Sequence, residues 1–148
     1  MHTPTLLIAL SLSLTLAGCA RQSGPGMADE DGESCAAANH GKKVFIDIAY
    51  DASGMPSANP DECAVTDGTV IIWRTAKDVK AAFDIDFEGE SAAGPGAPKR
   101  TRSQESNARQ KVTLTAANKD ARYKYAIEAN GKRVDPAVII RAGAGGGG

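Results

Sequence analysis

The sequence predicts an all-β protein, a single Greek-key β-sandwich of six or seven short strands. Two observations lead there. After Cys19 the chain carries seven Val and eight Ile against a single Leu, Leu114, a composition suited to pleated, half-buried surfaces rather than helices. Apolar residues also recur at every second position through several short segments, and no long stretch of helical period accompanies them. A length of 148 residues leaves room for one domain with extensions at its ends.

The strands follow in order. Val44, Ile46, Ile48 and Tyr50 share one face of the first, with Asp47 opposite. Val70-Ile71-Ile72-Trp73 is an unbroken apolar run, as expected of a strand buried on both sides. Phe83, Ile85 and Phe87 alternate with Asp84, Asp86 and Glu88, which predicts a one-sided strand with its carboxylates in solvent. Val112, Leu114 and Ala116 alternate with Lys111, Thr113 and Thr115, and Tyr123, Tyr125 and Ile127 with Lys124, Ala126 and Glu128. Val138-Ile139-Ile140 closes the set. Asn130-Gly131 stands between the last two segments, a strong hairpin signal because both turn residues need positive φ. The stretch from Gly89 to Gln110, rich in Gly, Ala and Pro, is expected to be the longest irregular segment.

Residues 1–18 read as a signal sequence. Leu6 to Leu16 is an apolar run of eleven residues, too short for a spanning helix, which needs about 20. It ends in Leu16-Ala17-Gly18-Cys19, which resembles the lipobox of bacterial lipoproteins. The resemblance implies cleavage before Cys19, a diacylglyceryl thioether on its sulfur and acylation of the new amino terminus, hence a membrane anchor. Ala20, next in line, is similar to the address of lipoproteins sent to the outer membrane, facing the periplasm. Residues 19–40 are expected to form a lipidated flexible tether. They contain no Val, Ile, Leu, Phe or Tyr and carry the acidic run Asp29-Glu30-Asp31-Gly32-Glu33. The sandwich domain is assigned to residues 41–142, and residues 143–148 to a disordered Gly-rich tail.

With Cys19 assigned to lipid, Cys35 and Cys63 remain as an even pair in an oxidising compartment, which predicts a structural disulfide. Such a bridge contributes about 3–4 kcal/mol by restricting the unfolded chain. Two buried free thiols or a redox pair are the alternatives, although neither cysteine sits in a Cys-x-x-Cys context. Other chemistry is scarce. His40 is the one histidine after the signal, in a turn-like Asn39-His40-Gly41 setting, and no nucleophile elbow, P-loop or dinucleotide fingerprint occurs. The expectation is a protein without catalytic residues, cofactor or metal. Lys99, Arg100, Arg102 and Arg109 form a basic cluster that could contact an anionic lipid, a lipopolysaccharide phosphate or an acidic protein. The other reading of this cluster is a solvated loop. It lacks interleaved aromatics, so nucleic acid is not an expected partner.

Two segments carry a further resemblance. Asp67-Gly68-Thr69-Val70-Ile71-Ile72-Trp73 and Tyr123-Lys124-Tyr125-Ala126-Ile127 are similar to strands of the cupredoxin-like sandwiches, the fold of small blue-copper proteins. The resemblance implies that fold for residues 43–141, with an immunoglobulin-like sandwich as the alternative. It also places Ile127 where the copper thiolate would stand, and neither Asn130–Pro136 nor Thr75–Phe83 offers a histidine. Copper electron transfer is therefore not carried over. Three functional classes follow: a non-enzymatic, lipid-anchored envelope protein acting as a periplasmic interaction module, a small-ligand or metal carrier using His40, Met55 or surface carboxylates, and a periplasmic hydrolase inhibitor. Cys19→Ser is expected to leave an unlipidated, uncleaved precursor. Processing and membrane fractionation unchanged from the parent would contradict the anchor.

Overall fold

The structure, a computed structural model, describes residues 32–35 and 42–141. The expected signal, Cys19, His40 and the Gly-rich tail lie outside the described residues. Twelve strands are described rather than six or seven: β1 (Glu33–Ser34), β2 (Lys43–Tyr50), β3 (Pro56–Asn59), β4 (Glu62–Thr66), β5 (Val70–Thr75), β6 (Asp84–Phe87), β7 (Arg100–Arg102), β8 (Gln104–Ser106), β9 (Arg109–Thr115), β10 (Ala121–Ala129), β11 (Lys132–Val134) and β12 (Ala137–Arg141). The six longest expected segments correspond to β2, β5, β6, β9, β10 and β12. The additional six have two to five residues each, and backbone pairing rather than an apolar face defines most of them.

Two mixed sheets face each other. In the first the order is β1-β2-β5-β9-β8, and β3 pairs along β2 beyond the point where β1 ends. In the second it is β4-β12-β10-β6-β7, with β11 also on β10. β1 and β5 run parallel to β2, and β4 runs parallel to β12. β11 and β12 are two parts of one return strand: Ile127 opposes Val134 and Tyr123 opposes Val138 in unbroken register, interrupted around Pro136. The tip of that hairpin is Asn130-Gly131, with φ of 53° and 70°, as the sequence predicts.

The inward faces form one core. Val44, Ile46, Ile48, Ile71, Trp73 and Val112 come from the first sheet, and Ile85, Phe87, Tyr125, Ile127, Val138 and Ile140 from the second. At its centre the Trp73 indole meets Tyr125 edge-on, with centroids 5.4 Å apart, and Nε1 donates to the phenol oxygen at 2.9 Å. Phe87 tilts against the other side of Tyr125 at 5.7 Å. A second link between the sheets is covalent. Cys35, just after β1, is bonded to Cys63 on β4 with Cα atoms 5.7 Å apart. Cys35 N–H also donates to the Phe45 carbonyl at 2.8 Å. Residues 32–35 thus belong to the sandwich, inside the segment expected to be tether, and the structured region begins before residue 41.

A third link is polar. β7 belongs to the second sheet and β8 to the first, and the chain crosses between them at Ser103. Ser103 exchanges bonds with the backbone of Phe83, its Oγ accepting from Phe83 N–H at 2.9 Å and its N–H donating to Phe83 O at 2.8 Å. The same Oγ donates to Gln110 Oε1 at 3.0 Å, and Gln110 N–H donates to Thr75 Oγ1 at 3.0 Å. Among the described residues no buried side-chain polar atom lacks a partner. The segment expected to be irregular from Gly89 to Gln110 therefore holds two strands and this crossing. Its Gly-rich part is fixed as well, because Gly94, at φ 104°, lies where a Cβ would come within 2.8 Å of the Ala117 carbonyl.

Burial pushes the Tyr125 phenol well above its ordinary 10.0, and the Trp73 hydrogen bond pulls it only partly back. The raised value favours the neutral phenol in the fold, so its contribution is complete below pH 10 and is lost as pH rises further. Tyr125→Phe is expected to cost about 1–3 kcal/mol near neutrality, because it strands the buried indole N–H. In denaturant titrations the gap between parent and variant should narrow at alkaline pH. A gap that stays constant from neutral to strongly alkaline pH would refute this account.

Candidate functional site: a charged groove on the second sheet

Outward-facing residues of the second sheet form rows across its strands. In one row Arg133 on β11 opposes Glu128 on β10, Glu128 opposes Asp84 on β6, and Asp84 opposes Arg102 on β7. In the next, Ala126 opposes Asp86, and Asp86 opposes Arg100. Two carboxylates directly across a ladder repel each other unless a cation bridges them. Arg100 supplies it. One of its terminal nitrogens lies 3.1 Å from Asp84 and 2.8 Å from Glu128, and the other lies 3.7 Å from Asp86. To reach Glu128 from β7 the side chain must cross β6, and it does so between Asp84 and Asp86.

Asp84, expected on a solvated face, is only 8% exposed. The reason is this crossing of side chains, with Arg102 adding a second contact to the same Asp84 oxygen at 3.2 Å. Asp84 first and Glu128 second raise the Arg100 guanidinium further above its ordinary value. Arg133 is tied to Asp135 at 2.9 Å, Glu128 at 2.8 Å and Asp86 at 3.9 Å, and its value is raised chiefly by Asp135.

These residues border a groove of about 450 Å³ between β7 and the β10–β11 hairpin. The hairpin tip is itself pinned. Asn130 Nδ2 donates to the Gly54 carbonyl at 3.0 Å, and Lys132 Nζ to Ser53 Oγ at 3.0 Å. The turn that receives them is built around Asp51, whose Oδ1 accepts from Ser53 Oγ, Ser53 N–H and Met55 N–H. Those bonds, the Ser53 hydroxyl foremost, hold the Asp51 carboxyl below its ordinary range. Four cations and two carboxylates line the groove: Arg100, Arg102, Lys132 and Arg133 against Asp84 and Glu128.

The basic cluster marked in the sequence is thus divided. Arg100 and Arg102 face the groove, whereas Arg109 lies on the first sheet and donates to the Thr75 carbonyl at 2.8 Å. Lys99 is exposed and lies outside the groove lining. In their place stand Lys132 and Arg133, which the sequence reading missed. The Asn130-Gly131 hairpin was the signal that folds them back beside Glu128.

Among the described residues no copper donor set is brought together. Ile127 is fully buried in the core, Cys35 and Cys63 are bonded to each other, and Met55 is 37% exposed. Among the described residues there is no histidine, and no group of three or more His, Cys, Asp or Glu is placed to hold a metal ion.

The molecule is an all-β sandwich of two mixed sheets. Among solved structures it is similar to a laccase from Pediococcus acidilactici, with a TM-score of 0.41 and 12% identity over 70% of this chain and 27% of that one. It is also similar to McoA multicopper oxidase from the hyperthermophile Aquifex aeolicus, with a TM-score of 0.36 and 7% identity over 68% of this chain and 29% of that one. The chain spans less than a third of the length of either. No family model and no curated protein matches it.

Arg100→Ala should lower the thermal midpoint by several degrees, because Asp84 and Glu128 then face each other without the bridging cation. Adding Glu128→Gln to that variant should recover part of the loss. No recovery would show that the bridge is not what Arg100 contributes.

Proposed function

We propose that the chain is a non-enzymatic, lipid-anchored envelope protein whose sandwich acts as a periplasmic interaction module. The lipobox-like Leu16-Ala17-Gly18-Cys19 supports the anchor and the address. The observation that carries the interaction role is the groove, a concave surface of charged side chains held fixed by the sheet and the pinned hairpin. Both of its carboxylates are engaged by arginines, which favours recognition over proton transfer or nucleophilic attack. Complementary charge at such a surface steers encounter and selects partners.

Crosslinking the full-length lipoprotein in intact cells tests this reading. An adduct is expected with the parent chain, reduced several-fold in Arg102→Ala. No adduct, or one insensitive to this substitution, would overturn the groove as the contact surface.

A further inference from the structure

We propose that a cleft in the side of the sandwich binds a short extended peptide, which adds to β9 as a strand and sends one apolar side chain between the sheets. This site is separate from the charged groove and does not depend on it. β7 and β8 are one run of chain divided between two sheets. β8 pairs with the first part of β9, Gln104 opposite Lys111, whereas before Ser103 the chain lies on β6. From Val112 onward β9 therefore has β5 on one side and no strand on the other among the described residues. The unpaired stretch is short, because Ala117 N–H donates to the Ala92 carbonyl at 3.0 Å and the loop closes that end. Between these limits lies a cleft of about 410 Å³, with Ile85, Phe87, Val112, Leu114 and Pro98 in its lining. The core side is unsealed here. Leu114 shares a face of β9 with buried Val112 yet is only half-buried, and Thr101, opposite buried Ile85, is exposed.

The backbone decides what fits. Along an antiparallel strand the N–H and C=O groups of successive residues address alternate neighbours. Ala116 N–H donates to the Thr69 carbonyl at 2.8 Å, so Val112 and Leu114 also address β5, while Thr113 and Thr115 turn theirs to the cleft. No described residue bonds them there. The two lie one strand repeat apart, about 7 Å, which is the repeat of any extended chain. An acyl chain would cover these groups without bonding them, at a cost in free energy, whereas a peptide bonds them. Running antiparallel to β9, in line with β8, it would set polar residues opposite Thr113 and Thr115. The residue between them, opposite Leu114, would turn its side chain into the cleft. No charged side chain lines the cleft, and Lys99, next to Pro98 at its rim, is exposed. An acidic residue beside a polar–apolar–polar triplet therefore complements the site. β8 at one end and Ala92 at the other leave room for about four residues, a chain end or loop tip rather than the edge of another sheet.

The test uses the full chain and the capped pentapeptide Asp-Thr-Leu-Thr-Gly. In the free protein the amides of Thr113 and Thr115 should exchange rapidly with solvent by NMR, and those of Val112 and Leu114 slowly. Saturating peptide should slow both threonine amides about tenfold or more. Threonine amides already protected without peptide would mean that another segment or a second copy covers the edge, and would overturn the proposal. So would failure of the pentapeptide to bind. N-methylation of both peptide threonines should weaken binding about tenfold or more, and N-methylation of its leucine, whose amide faces β7, should cost less. Undiminished binding of the threonine-methylated peptide would replace strand pairing with a small apolar ligand, and the reverse order of losses would remove β9 as the acceptor. In the protein, Thr113→Pro deletes an N–H that β5 does not use and should weaken binding by a similar factor, whereas Thr113→Val should not. The methylated peptides leave the protein untouched, so a folding defect in Thr113→Pro cannot mask the result. Arg102→Ala should bind the pentapeptide as the parent does. A loss there would put the peptide in the groove and overturn the cleft as its site.

Discussion

The contact between Trp73 and Tyr125 is the constraint on which the rest of the sandwich depends. β5 and β10 each lie at the middle of their own sheet, and these two rings join the sheets at that point. A sandwich core is about 10 Å thick, so one bicyclic and one phenolic ring meeting edge-on fill it. Both rings carry a polar atom, and the indole N–H donates to the phenol oxygen deep in the apolar layer. That bond also fixes register. Moving β10 by one residue would turn Tyr125 outward and bring Lys124 or Ala126 into the core. The Cys35–Cys63 bond and the Ser103 crossing then act at the margins, where the short strands β1, β4, β7 and β8 have little apolar surface of their own.

The charged face follows from the same register. With Tyr125 and Ile127 inward, Ala126 and Glu128 must point outward, and pairing with β6 sets Glu128 opposite Asp84. That placement would cost stability if left alone. β7 answers it by carrying arginines at alternate positions, 100 and 102, on the same face. The arrangement is therefore a consequence of strand pairing before it is a binding surface, and isolated exposed ion pairs contribute little to stability. What lifts it above such pairs is connectivity: Arg100 and Arg133 each join three carboxylates, giving the groove walls a single preferred geometry.

Much of the sandwich was legible in the sequence, and what was hidden has physical reasons. Alternation marks β2, β6, β9 and β10 because each buries one face, and Asn130-Gly131 marks the hairpin because its backbone needs that pair. β4 was hidden although Cys63 and Val65 both point into the core, since two inward residues in five give no usable period. β7 and β8 have no buried residue at all and form through backbone pairing and surface ion pairs. Asp84 looked solvated because alternation reports the face a residue takes and not what crosses over it. The basic cluster misled for a different reason. Ser103 sends the chain from one sheet to the other, so Arg102 and Arg109, close in sequence, end on different faces of the molecule, while Arg100 and Arg133 converge.

The direction in which the chain enters the sandwich bears on how the groove would be presented. Glu33 pairs with Val44 near the start of β2, whereas the groove's hairpin is fastened to Gly54, beyond the far end of that strand. β2 has eight residues, which at about 3.3 Å each separate the two ends by roughly 25 Å. A membrane tether at the amino terminus would therefore hold the sandwich by one end and leave the groove near the other. Partners in the bilayer surface itself would be poorly placed to reach Arg102.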